Sequence, residues 1–157
     1  MSSVISNRGE VSGLFDRRRR EHAELRERIL HRCELLEPVD RALLESVYER
    51  DMPIVRLAEI RGEPPWRLRR RVRMLVRRLL SPLATFIIAN EGNWEPERWQ
   101  VARRHLLAGC EMRRTAKELG LTLHRVRQHV YAVRTLMRER EREQQASGEK
   151  VRRRNGE

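Results

Sequence analysis

Between Trp66 and Leu80 the chain carries seven arginines, Arg67, Arg69, Arg70, Arg71, Arg73, Arg77 and Arg78, and no acid. A guanidinium is a planar fork that meets a phosphate or the O6/N7 edge of guanine through two parallel hydrogen bonds. Leu68, Val72, Leu75, Val76 and Leu79 sit between the arginines at helical spacing. The pattern predicts a helix over 65–80 with an aliphatic face for a core and a cationic face for polyanions. A second group follows at His124, Arg125, Arg127, Gln128 and His129. It adds a side chain that pairs with adenine, since glutamine can bond the N6/N7 edge with both ends of its amide.

Other chemistries lack their residues. His31 with Cys33, or His105 with Cys110, supplies two ligands where a tetrahedral metal site needs four. There is no nucleophile beside a base, no carboxylate cluster and no phosphate-binding loop, so the expectation is no enzyme, no metal and no cofactor. The 157 residues hold 35 basic and 23 acidic side chains, a net charge of +12. A GC-rich genome accounts for arginine over lysine but not for the surplus, which points to a polyanion, nucleic acid before anionic membrane. Two distant cysteines suit free thiols in a reducing cytosol. The N-terminus has no signal-peptide pattern, and the apolar run "LATFIIA" is far too short to span a bilayer. These features imply a cytoplasmic, nucleoid-associated protein and no membrane partner.

No segment alternates with a strand period, so the fold class expected is all-α. Residues 1–13 read as a disordered arm. A charged N-terminal helix follows over 14–35, with 14–36 a candidate dimer contact. The first helical module covers 36–92 and the second 93–143. The polar, basic tail 144–157 is expected to be disordered.

The two modules are related. A shift of 58 residues aligns 36–80 with 94–138 without a gap, and eight positions agree. Among them are Pro38 with Pro96, Ala58 with Ala116, Gly62 with Gly120, Arg67 with Arg125 and Val72 with Val130. Small Ala allows two helices to cross closely. Gly four residues later takes the positive φ that turns the chain, and a basic helix restarts. This is the pattern of a helix-turn-helix, whose second helix projects its first turns outward.

On these residues the chain resembles the fourth conserved region of bacterial sigma factors and the related DNA-binding domain of response regulators. Leu36, Pro38, Asp40, Arg41, Leu44, Tyr48, Leu57, Ala58, Glu59 and Gly62 match that family's pattern in register, and "MRRTAKELGLTLHRVRQHV" fits it again. The chain departs from the family where Arg61 and Glu63 flank Gly62, where Pro64-Pro65 replaces a Ser/Thr cap, and where Thr115 replaces Ile or Val. Nothing resembles the sigma region that binds the polymerase clamp.

The resemblance implies two tandem helix-turn-helix modules and a sequence-specific transcriptional regulator that reads a bipartite site on double-stranded DNA. The half-sites would lie about one turn, roughly 34–36 Å, apart. Arg67, Arg70 and Arg71 are expected near base edges with Arg69 beside them, and Arg73, Arg77 and Arg78 near the backbone. Arg56 and Arg114 would touch phosphate from the preceding helices. Thr122 would cap the second recognition helix, where His124, Arg125, Arg127, Gln128 and His129 face DNA. Trp66 reads as a packing residue at a helix start, with stacking on a sugar or base as the alternative. The competing expectation is an adapter that binds RNA polymerase or another protein, with DNA contact secondary.

Overall fold

A computed structural model describes the backbone of residues 7–154 and the side chains of Arg17 and of residues 19–149. Its regular elements are all helices: α1 (Asn7–Cys33), α2 (Pro38–Tyr48), α3 (Ile54–Arg61), α4 (Pro65–Leu79), α5 (Pro82–Ala89), α6 (Pro96–Val101), α7 (Met112–Leu119) and α8 (Leu123–Arg154). A π-helical stretch, Ala102–Leu107, continues α6 directly. The fold class is the all-α one expected. Among the described residues no helix is long and apolar enough to cross a membrane.

Both expected disordered ends are largely helical. α1 already begins at Asn7, inside the supposed arm, and α8 runs to Arg154, through most of the supposed tail. Composition points to disorder because the first residues are small and polar and the tail has no apolar face. Extending a helix from a packed nucleus costs far less than starting one, and no proline interrupts either end. Oppositely charged neighbours three apart, such as Glu139 with Arg142, add support over 138–143. Residues 1–6 and 155–157 lie outside the described residues.

The chain forms two compact units, Met1–Val76 and Arg77–Glu157. The division falls within α4 rather than between 92 and 93. The reason lies in α5, whose Ala84 and Ile87 are buried and which packs on α8 and the π-helical stretch. Ser81 starts α5 by accepting the Ala84 N–H at 3.1 Å. In the first unit Ile29, Cys33 and Leu36 close the core from α1 and the chain just after it. Arg26 ties α1 to the α2–α3 turn by donating to Glu49 O at 3.1 Å and to Asp51 at 3.2 Å. In the second unit Val101, Ala116, Val126 and Val130 form the centre, flanked by Leu106, Met112, Leu119 and Leu121.

The 58-residue relation extends to burial. Leu43 and Val101, Leu44 and Ala102, Leu57 and Thr115, Ala58 and Ala116, Leu68 and Val126, Val72 and Val130, and Leu75 and Val133 are all buried, pair by pair. Backbone turns repeat as well. Gly62 (φ 64°, ψ 28°) and Gly120 (φ 65°, ψ 27°) end α3 and α7 in the same left-handed conformation. Each is followed by a residue whose N–H returns to the buried alanine, Glu63 to Ala58 O at 3.0 Å and Leu121 to Ala116 O at 2.9 Å. Asp51 (φ 50°) is the one non-glycine residue with positive φ among those described, and it falls 58 before Gly109 (φ 80°).

Candidate nucleic-acid interface

α4 advances 100° per residue, so Trp66, Arg70, Arg73 and Arg77 line one stripe opposite the buried Leu68, Val72, Leu75 and Leu79. Arg67 and Met74 border the stripe on one side and Arg69 on the other, and all of these side chains are exposed. Among the described residues no carboxylate pairs with Arg67, Arg69, Arg70, Arg73 or Arg77. Trp66 is 58% exposed, against the packing role expected of it at the start of the helix. The Arg67 guanidinium lies 5.7 Å from the Trp66 ring centre.

Two of the seven arginines are engaged within the protein. Arg71 Nε donates to Asp40 Oδ1 at 2.6 Å, pinning α4 to α2, so its place is at the helix–helix seam rather than at a base edge. Arg78 donates to Ala108 O at 3.1 Å and its guanidinium lies where a side chain at residue 109, here Gly109, would project. That contact turns Arg78 inward, away from the backbone phosphate expected of it. On the preceding helices Arg56 is exposed, whereas Arg114 Nε donates to Glu118 at 2.7 Å. Glu118 also binds Arg104, and the Arg114 and Arg104 hydrogen bonds hold its carboxyl below the ordinary value of 4.5.

α8 begins as the sequence predicts, with Thr122 Oγ1 accepting the Arg125 N–H at 3.1 Å. His124, Gln128 and Tyr131 form its outward stripe, with Arg127 beside it. These occupy the positions 58 after Trp66, Arg70, Arg73 and Arg69. Tyr131 is 70% exposed and was not among the expected contacts, although the repeat places it opposite Arg73.

His129 corrects the expectation. It is 4% exposed, because its position on α8 faces inward beside Val126, Val130 and Val133. Its Nε2 lies 2.6 Å from Glu97 Oε1 on α6, and its Nδ1 lies 3.7 Å from Glu95. The same Glu97 oxygen accepts from Arg125 Nε at 2.6 Å. Hydrogen bonds from Arg125 first and His129 second hold the Glu97 carboxyl below 4.5. Glu97 is therefore an anion near neutrality that can only accept, and His129 Nε2 donates to it. Glu97 escaped the sequence reading because Val39 stands at the corresponding place in the first module.

The two units thus present different chemistry on equivalent helices. The first offers the outward guanidinium groups of α4, which no carboxylate pairs with among the described residues. The second offers imidazole, amide, phenol and guanidinium groups, one arginine being fixed by a carboxylate. Among the described residues no three His, Cys, Asp or Glu side chains gather as a metal site. Both cysteines are buried and neither forms a disulfide among the described residues, and burial raises the Cys33 thiol above its ordinary value. The second unit also has an open groove of about 370 Å³, bordered by Leu80, Pro82, Phe86, Ala89, Met137 and Arg140. Comparison with known proteins gives no match: no family model, curated protein or solved structure aligns with this chain.

Proposed function

We propose that the chain is a sequence-specific, double-stranded-DNA-binding transcriptional regulator, similar in plan to sigma region four and acting in the nucleoid without catalysis. Each unit offers one recognition helix, α4 or α8, to one part of a bipartite site. The observation that carries this reading is the α4 stripe, where exposed arginines recur at helical spacing with no carboxylate among the described residues to neutralise them. Such an arrangement repels itself in the free protein and is relieved by a polyanion, whose released counterions drive binding. The first turns of α8 add hydrogen-bonding groups suited to base edges.

Selection of bound duplexes from a random DNA library, followed by salt titration of the winners, tests the proposal. A recurring motif that Gln128→Ala weakens supports it. Enrichment of nothing, with affinity lost at moderate salt, refutes it. The groove between α5 and α8 favours a second reading, an adapter that binds RNA polymerase or another protein with DNA contact secondary. Tight protein binding that survives removal of the α4 arginines would establish that role.

A further inference from the structure

We infer that Arg125 is a base-reading residue of the second unit, that the base it reads is guanine, and that Glu97 positions it. The inference rests on the DNA-binding reading above. Arg125 stands in the first turn of α8, directly after the Thr122 cap, where a recognition helix meets base edges. Glu97 holds it by Nε, the one guanidinium nitrogen not in the terminal fork. Among the described residues neither terminal nitrogen has a hydrogen-bond partner, and that fork is the edge that matches guanine O6 and N7. An exposed arginine on a free stem samples many rotamers and grips any phosphate. One pinned at Nε has already lost that freedom, so little further ordering opposes a directional contact.

Glu97 is in turn seated from below. His129, buried at 4% exposure, donates to the same carboxylate oxygen, so the order runs from core imidazole to carboxylate to exposed guanidinium. The first unit lacks this support. Arg67 occupies the position of Arg125, but Val39 occupies that of Glu97 and is 58% exposed. Arg67 rests over Trp66, and no carboxylate among the described residues pairs with it. Sequence discrimination is therefore concentrated in the second unit, while α4 mainly supplies charge.

A carboxylate beside a DNA-binding surface repels phosphate, and this gives the test its direction. The full chain and its Glu97→Gln, Glu97→Asp and Arg125→Lys variants are compared on a selected duplex and a scrambled duplex at one salt concentration, with thermal melting of each protein alongside. Glu97→Gln is expected to bind the scrambled duplex as well as or better than the wild type. Its preference for the selected duplex falls about tenfold, the scale of one lost bidentate contact. Arg125→Lys keeps the charge, loses the fork and shows the same fall, whereas Glu97→Asp recovers part of the preference. A guanine in the selected motif loses its importance only in the Gln and Lys variants.

Equal weakening on both duplexes, in step with a lower melting temperature, would give Glu97 a purely structural role and overturn the inference. So would an unchanged preference in Arg125→Lys. A wild type that does not discriminate between duplexes overturns the DNA-binding reading, and the inference with it. Equal discrimination by both units leaves that reading intact and overturns only the division between them.

Discussion

Replacing Arg69, Arg70 and Arg73 together by glutamine separates electrostatic attraction from fold. All three are exposed on α4 and none has a carboxylate partner among the described residues, so their removal breaks no ion pair of the folded protein. If each meets one phosphate, the slope of log affinity against log salt becomes shallower by about 2.7, at roughly 0.9 per contact. Over the fourfold change from about 50 to about 200 mM salt, that difference amounts to a factor of about forty in affinity. Fluorescence anisotropy on a labelled scrambled duplex across a salt series measures it directly. Arg71→Gln is the control. Its Nε is held by Asp40, so it should leave the slope nearly unchanged and cost about 1 kcal/mol of stability instead. A slope unmoved by the triple substitution, or moved as far by Arg71→Gln as by each of the three, would refute the assignment of α4's outward face.

Gly62→Ala and Gly120→Ala should each destabilise by about 1 kcal/mol in urea unfolding, since both positions have open space but a left-handed backbone. Asp51→Val should cost more than Asp51→Gly, because a β-branched residue resists the positive φ that glycine adopts freely. Thr115→Val should stabilise by about 1 kcal/mol, because the buried Thr115 hydroxyl has no hydrogen-bond partner among the described residues. Acid titration followed by circular dichroism should show stability falling as pH drops below 4.5. Glu97 and Glu118 have folded values lowered by their partners, so the unfolded chain takes up protons first and the stabilisation is lost as pH passes down through those lowered values. Glu97→Gln should make that decline less steep.

Helical patterning made much of the fold readable. Pro38, Pro96, Ser81 and Thr122 mark helix starts, and Gly62 and Gly120 mark ends, because each acts through its own backbone geometry. The outward face of α4 was readable for the same reason: the spacing of Leu68, Val72 and Leu75 fixes what lies opposite. His129 was misread because its helical phase places it at the edge of the buried face, and only the α6 helix decides which side of that edge it takes. Arg71, Arg78 and Arg125 meet partners 31, 30 and 28 residues away. No local pattern distinguishes them from the free arginines beside them. The unit boundary was missed because α5 is apolar on several sides, and its sequence does not reveal which neighbour it covers.

A chain that writes one backbone plan twice has to keep its halves from trading parts while it folds, a known failure of repeated domains. The paired buried positions supply a sorting rule. Leu43, Leu44, Leu57, Leu68 and Leu75 stand where the second unit has Val101, Ala102, Thr115, Val126 and Val133. A first-unit helix seated in the second unit's core would be overpacked, at about 1–3 kcal/mol per misfit, and the reverse exchange would open cavities. Difference in core volume thus acts as an address label: it directs each helix to its own half although the turns that guide them are the same.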